Sequence, residues 1–198
     1  MTTTTMTDTT TAATEAKSHI PGQPDIWLFV MFEVIVFSSY FVVYMLYRSW
    51  HPDLFLESQQ QLSQNFGVIN TVILLISSWF VARGVQAARE NRHELAQKQV
   101  YLTIACGLLF VISKLFEWSQ KIDAGFEFST NSFFAFYYFL TGIHVVHVLF
   151  GFVFLGVVIH QLRRPQRRSQ SVIEAGTIFW HMVDFLWVMI FALLYVMR

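Results

Sequence analysis

Five long apolar stretches run through this sequence, and they constrain its fold more than any other feature. A helix needs about 20 apolar residues to cross the hydrocarbon core of a membrane, and each stretch reaches that length. We therefore predict an all-α fold, an integral membrane bundle of five transmembrane helices. The predicted helices cover Ile26–Tyr47, Phe66–Ala88, Gln97–Trp118, Ser132–Leu162 and Val172–Met197.

The composition also indicates a membrane protein. Hydrophobic residues make up 55% of the chain and charged residues 13%, and the mean hydropathy is +0.48. Soluble domains carry about 25% charged residues. A soluble helical bundle is the alternative, but its helices would be apolar on one face, whereas these stretches are apolar on nearly all faces.

Basic residues are distributed unevenly between the two ends of the predicted helices. An excess of Lys and Arg marks the cytoplasmic side of a membrane protein. The bias predicts a bacterial-type inner (plasma) membrane protein with a cytoplasmic N-terminus and a periplasmic C-terminus. Nine basic residues lie on the predicted cytoplasmic side (Lys17, Arg83, Arg89, Arg92, Lys98, Arg163, Arg164, Arg167, Arg168) and three on the other (Arg48, Lys121, Arg198).

Two short segments outside the helices have a distinctive composition. Residues 1–23 are rich in threonine and lack the basic start and apolar core of a signal peptide, so we predict a disordered, Thr-rich cytoplasmic tail before a transmembrane domain at 24–198. The run R-R-P-Q-R-R at 163–168 follows a membrane helix. It is better explained as a topology signal and a contact with anionic lipids than as a nucleic-acid site.

Several polar residues fall inside the apolar stretches, where ionisable groups are costly and are candidates for function. His181 and Asp184 are three residues apart and are flanked by Trp180 and Trp187; whether they contact each other stays open. Removing Asp184 from such a pair would harm assembly more than removing Glu33. The candidates for buried polar, proton or lipid contacts are Glu33, Asn70, Glu117, His144, His147, His181 and Asp184.

Each candidate also has a purely structural interpretation. Glu33 is explained by a hydrogen bond to a neighbouring helix, because buried polar groups require a partner. Glu117 is explained by an ion pair at the membrane interface with Lys114, three residues before it, and Lys114 lies close enough to a helix end to snorkel. Glycines in the last two helices predict close helix contacts: Gly142, Gly151, Gly156 and Gly176.

The histidines raise a metal or haem hypothesis. His144 and His147 are three residues apart on one helix and point to similar sides of it, and His181 or Asp184 would have to complete a metal site. Carbonyls and carboxylates satisfy such imidazoles equally well. A haem-binding membrane cytochrome and a proton-coupled transporter using Glu33 and Asp184 remain the alternatives to a non-catalytic subunit.

Five stretches together resemble subunit III of the haem-copper oxidases. The similar stretches are M-F-E-V-I-V-F at Met31–Phe37, I-N-T-V-I-L-L-I-S-S at Ile69–Ser78, F-E-W at Phe116–Trp118, F-L-T-G-I-H-V-V-H-V-L-F-G at Phe139–Gly151 and E-A-G-T-I-F-W-H-M-V-D-F-L-W at Glu174–Trp187. In the last stretch Phe179 replaces the usual Tyr. The chain resembles the short, five-helix form of the family, and S-K-L-F-E-W, S-S-W-F-V-A and F-Y-Y-F-L-T-G resemble the branch associated with nitric oxide reductases.

The resemblance implies an accessory subunit of a respiratory electron-transport complex. It implies that this chain binds no cofactor or metal and has no catalytic residue, and that haem with copper or iron belongs to the partner, a catalytic subunit I of a haem-copper oxidase or nitric oxide reductase. Membrane lipids, including a structural phospholipid, are the other implied partners, and nucleic acid is not one. The implied role is to support assembly, stability and proton uptake.

Overall fold

The computed structural model describes residues 24–164 and 169–197. The Thr-rich tail, Arg167, Arg168 and Arg198 lie outside these residues. Within them the chain is helical and contains no strand, and five of its helices are long and apolar enough to cross a membrane, which confirms the predicted fold class. The elements are α1 (Pro24–Trp50), α2 (Pro52–Gln60), α3 (Gln64–Arg89), α4 (His93–Asp123), α5 (Ser132–Leu162) and α6 (Gln170–Phe191), followed by a π-helical turn at Ala192–Val196.

The short helix α2 was not predicted from the sequence. Its nine residues are mostly polar, so no apolar stretch marks it, and it begins at Pro52, where the missing N–H of proline is tolerated. Phe55 anchors it by packing edge-on against Tyr44 of α1 and Phe133 of α5. The helix thus closes one end of the bundle, called the outer end below.

α6 is the central helix of the bundle, and α1 is the most peripheral long helix. In the apolar window of α6, 61% of the residues are buried inside the protein, against 6% in α1. Both indole N–H groups of α6 donate to hydroxyl groups of α3: Trp180 to Ser77 Oγ at 3.0 Å and Trp187 to Thr71 Oγ1 at 3.1 Å. Because α6 is surrounded by the other helices, its polar side chains face protein.

Close helix contacts were predicted at four glycines, and two of these glycines make such contacts where α5 packs against α6. A Cβ at Gly151 would lie 2.8 Å from the Trp180 ring, and one at Gly176 would lie 2.7 Å from Val158. The prediction is wrong for Gly142 and Gly156, because within the described residues nothing lies within 4 Å of a Cβ at either position. These two glycines lie on outward-facing parts of α5.

Candidate functional site

Six of the seven predicted candidates fall into three groups, and the seventh, His181, contacts Ser78 of α3. We call Glu33 and His147 the Glu33–His147 pair. Asn70, His144 and Asp184 form the central polar layer. Lys114, Glu117, Tyr137 and Tyr195 form the outer polar cage. The three groups differ in how completely the protein satisfies their hydrogen-bonding atoms.

The Glu33–His147 pair links α1 to α5. His147 Nε2 lies 3.2 Å from Glu33 Oε2, and the two side chains are 14% and 13% exposed. This contact confirms that Glu33 is hydrogen-bonded to a neighbouring helix. The pair opens into a cavity of about 310 Å³ on the membrane-facing side, lined otherwise by Phe29, Phe150, Phe154 and Phe179.

The geometry of this pair determines how many protons it holds. The other ring nitrogen of His147, Nδ1, lies 2.8 Å from the backbone carbonyl of Ile143. A carbonyl only accepts, so Nδ1 must carry a hydrogen. The contact between Nε2 and Glu33 then needs one further proton, carried either by the imidazole or by the carboxyl. In the hydrogen-bonded state the pair is therefore neutral overall and shares one proton at a membrane-facing cavity.

His181 and Asp184 do not pair with each other. His181 Nδ1 lies 2.6 Å from Ser78 Oγ of α3. Asp184 is 4% exposed, and neither of its carboxyl oxygens has a hydrogen-bond partner among the described residues. Ser78 is near enough to interact with Asp184 electrostatically without a hydrogen bond of acceptable geometry. The prediction that loss of Asp184 harms assembly more than loss of Glu33 requires Asp184 to be the paired carboxyl. In the structure Glu33 is the paired carboxyl, so the reason for that prediction does not hold.

His144 and Asn70 complete the central polar layer. Both are fully buried, and in the described part of the chain neither imidazole nitrogen and neither amide atom has a hydrogen-bond partner. His144 packs against the rings of Phe110 and Trp187, at centroid distances of 5.5 and 5.2 Å. Asn70 is the residue before Thr71, which holds the indole of Trp187. Within the described residues, the layer therefore holds polar atoms without hydrogen-bond partners, and one of its members, His144, contacts Trp187.

The two histidines of α5 do not converge on one site. His147 points to Glu33 of α1, whereas His144 points to Phe110 of α4 and Trp187 of α6. Across residues 24–164 and 169–197 there is no group of three or more His, Cys, Asp or Glu placed to hold a metal ion. The spacing of the histidines matches a metal motif, but the neighbouring helices direct them to different partners.

The outer polar cage surrounds a lysine that was predicted to snorkel. That prediction is wrong, because the side chain of Lys114 is 0% exposed and that of Glu117 is 1% exposed. The predicted ion pair is present, with Lys114 Nζ 2.9 Å from Glu117 Oε2. The ammonium also donates to the hydroxyls of Tyr195 at 3.0 Å and Tyr137 at 3.4 Å. An ammonium has three N–H donors, so all three are used.

The other acceptors of the cage are satisfied as well. The Tyr195 hydroxyl donates to the second carboxylate oxygen of Glu117 at 2.6 Å, and the ring centroids of Tyr137 and Trp187 lie 4.9 and 5.2 Å from the ammonium. The sequence analysis named neither tyrosine as a candidate, because neither lies at helical spacing from Lys114 on the same helix. A buried lysine requires acceptors at its own depth, and that requirement is the signal that points to them.

The π-helical turn places Tyr195 in the cage, and the surrounding helices hold this turn. The Gln59 amide of α2 donates to the carbonyl of Leu194 at 2.9 Å, and the Tyr44 hydroxyl of α1 donates to the carbonyl of Leu193 at 3.2 Å. These bonds satisfy carbonyls that the end of a helix leaves without partners. The missed helix α2 therefore has a role in positioning the cage.

The inner end gathers the basic residues that the sequence analysis assigned to one side. Arg89 of α3 donates through Nε and Nη2 to Glu174 Oε1 of α6, at 3.1 and 2.9 Å, and Arg163 of α5 donates to the Tyr101 hydroxyl of α4 at 2.6 Å. Because these bonds join the ends of four helices, the described basic residues near them lie at the same end of the bundle.

The architecture defines a multi-pass helical membrane protein with five helices long and apolar enough to cross a membrane. The model for the family described as cytochrome c oxidase subunit III matches residues 22–198. The chain belongs to this family, which is the class of accessory subunits of haem-copper oxidases. The membrane cytochrome and transporter hypotheses are not favoured.

Three relatives illustrate the range of the similarity. Cytochrome c oxidase subunit 3 of Synechocystis sp. is 32% identical over 191 residues, covering 92% of this chain and 80% of that protein. Cytochrome bo(3) ubiquinol oxidase subunit 3 of Buchnera aphidicola is 25% identical over 172 residues, covering 86% and 83%. Heme-copper oxidase subunit I+III of Aeropyrum pernix is 25% identical over 182 residues, covering 85% of this chain and 22% of that longer protein.

Proposed function

We propose that this chain packs against the catalytic subunit I of a respiratory haem-copper oxidase and serves it without carrying out redox chemistry itself. The observation that carries the proposal is the match of the family model to residues 22–198. The Aeropyrum relative, named subunit I+III, supports a close association, because its name describes both subunits in one protein.

Haem and copper belong to the partner in this proposal. The divergence of His144 and His147 supports this assignment, since two histidines that face different helices do not form half of a metal site. The names of the reported relatives, a cytochrome c oxidase and a ubiquinol oxidase, support oxygen as the partner's substrate. The alternative substrate, nitric oxide, is supported by three short stretches of sequence. Measuring whether the purified complex consumes oxygen or nitric oxide separates the two.

The Glu33–His147 pair is the part of this chain that is suited to proton handling. It shares one proton within a hydrogen bond and lies beside a membrane-facing cavity. If a neighbouring subunit covers this cavity, proton transfer through the pair would take up one proton as another leaves, so that the pair stays neutral and no net charge is placed in the membrane. In the proposed orientation the chain lies in the plasma membrane with its N-terminus inside, and a C-terminal alkaline phosphatase fusion tests that orientation by its activity.

Co-purification tests the association directly. The tagged chain is extracted from its own membranes in a mild detergent and the proteins that accompany it are identified, with an untagged strain as the control. We expect a haem-containing subunit I in a constant ratio to the tagged chain. Recovery of the folded chain alone would contradict the proposal.

The absorption spectrum of the chain separated from its partners tests the cytochrome alternative. The proposal predicts no Soret band in this material. A Soret band that disappears when His144, His147 or His181 is replaced by Ala would establish the chain as a cytochrome and overturn the assignment of haem to the partner.

A further inference from the structure

A groove on the membrane-facing side of α4, at the inner end of the bundle, is separate from the Glu33–His147 pair, the central polar layer and the outer polar cage. It is open to its surroundings and has a volume of about 560 Å³. It begins among polar residues in the first turns of α4 and continues toward the middle of the membrane. Its lining residues are Glu94, Gln97, Lys98, Tyr101, Leu102 and Ala105.

The groove is polar at one end and apolar at the other. Lys98 is exposed at the polar end, and Leu102 and Ala105 form the deeper part. Beyond the groove, Leu109 and Ile112 continue the same stripe of α4 and are 56% and 62% exposed. At 1.5 Å per residue the stripe from Lys98 to Ile112 is about 21 Å long, which is enough for most of an acyl chain in one leaflet.

A second helix contributes a cation to the polar end. Arg163, at the end of α5, is exposed and donates from Nη2 to the Tyr101 hydroxyl at 2.6 Å. This bond holds the guanidinium beside the groove. A guanidinium has five N–H donors and suits a phosphate group, and Tyr101 accepts from only one of its nitrogens. The groove thus has a positioned phosphate-binding group at its membrane-surface end.

The charges at the polar end match a single negative charge. Lys98 and Arg163 contribute two positive charges, and Glu94 contributes one negative charge. Glu94 precedes Lys98 by four residues, so it lies one turn, about 6 Å, farther along the helix axis on the aqueous side, at a spacing that suits an ion pair with Lys98. The polar end therefore keeps one net positive charge, which a phosphodiester would neutralise.

We infer that this groove binds an anionic phospholipid, with its phosphate at Lys98 and Arg163 and one acyl chain along Leu102, Ala105, Leu109 and Ile112. An acidic protein segment would match the cations but not the apolar stripe that extends into the membrane. A free phosphate ion would match the cations alone. The inference goes beyond the proposed function, because it names a site and a class of lipid, and it does not depend on the identity of subunit I.

The test compares lipid binding by the full chain and by variants in nanodiscs of phosphatidylcholine that contain increasing phosphatidylglycerol. Binding is read by native mass spectrometry of the released protein. The variant combines Lys98→Gln and Arg163→Gln, and the matched control combines Arg83→Gln and Arg92→Gln, which removes two positive charges from the same end of the bundle. All four side chains are exposed, and circular dichroism confirms that each variant is helical.

We expect the wild type and the control to retain one more phosphatidylglycerol per chain than the Lys98/Arg163 variant. The apparent affinity should fall about 25-fold in that variant, because each basic residue near an anionic surface contributes about a fivefold factor. Equal retention of phosphatidylglycerol by the variant and the control would overturn the inference. Equal retention of phosphatidylcholine and phosphatidylglycerol by the wild type would also overturn it. Displacement of the lipid by millimolar inorganic phosphate would also overturn it, since the site would then recognise the anion without the acyl chain. None of these results would affect co-purification with subunit I.

Discussion

The outer polar cage and the central polar layer lie next to each other in the same bundle, and the protein treats their polar atoms in opposite ways. In the cage, Lys114 uses three donors and Glu117 uses both oxygens. In the layer, no described protein group satisfies Asn70, His144 or Asp184 by a hydrogen bond. Trp187 contacts both regions, through Lys114 on one side and His144 on the other.

The difference shows which polar residues stabilise this chain and which do not. A buried ion pair with every hydrogen bond formed is stable as a unit, and loss of one member leaves an uncompensated charge. Buried polar atoms without partners lower stability and are the atoms that ordered water satisfies in folded proteins. The cage is thus a structural element that stabilises the fold, whereas the polar groups of the layer lower its stability.

The largest expected effect is in the cage. Glu117→Ala leaves the ammonium of Lys114 buried without its carboxylate, so the free energy of unfolding should fall by about 3–5 kcal/mol. Unfolding of the detergent-solubilised chain by SDS, followed by circular dichroism, measures the change. The matched control replaces both Lys114 and Glu117 by Leu, which removes the charges together and should cost much less. An equal loss in the single and double variants would show that the ion pair is not the source of the effect.

A smaller effect of opposite sign is expected in the central layer. Asn70→Leu removes an unsatisfied amide and keeps the number and branching of the side-chain heavy atoms, so the chain should gain about 1–3 kcal/mol in the same unfolding experiment. The sign distinguishes the two regions, because a substitution in the cage destabilises the chain and this one stabilises it. A loss comparable to that of Glu117→Ala would mean that Asn70 has bonding partners as complete as those of the cage.

The smallest effect concerns a satisfied contact beside the layer. Ser77→Ala leaves the indole N–H of Trp180 buried without an acceptor, at a cost of about 1 kcal/mol. Ser39→Ala is the control, because the Ser39 hydroxyl is exposed and bonds only to the Val36 carbonyl of its own helix; it should leave stability unchanged. Equal shifts in the thermal unfolding midpoints of the Ser77→Ala and Ser39→Ala variants would show that the hydrogen bond to Trp180 does not stabilise the chain.

The sequence predicts the spans of this fold well, because an apolar stretch of about 20 residues has few alternatives to a membrane helix. It does not predict α2, whose polar residues become buried only when the outer ends of α1 and α5 come together. It predicts that Glu33 and Lys114 need partners, but the partners depend on the rotation of each helix about its axis. That rotation directs His147 to Glu33 and His144 to aromatic rings, although the two histidines are one turn apart.

The central claim is that this chain serves a haem-containing partner and holds no haem itself. The most direct measurement is the haem content per catalytic subunit, by pyridine haemochrome, in complexes purified with and without this chain. The account predicts that the ratio of haem to catalytic subunit is the same with and without this chain. A fall in the haem ratio in proportion to the missing chain would contradict the account, because it would place haem on this subunit.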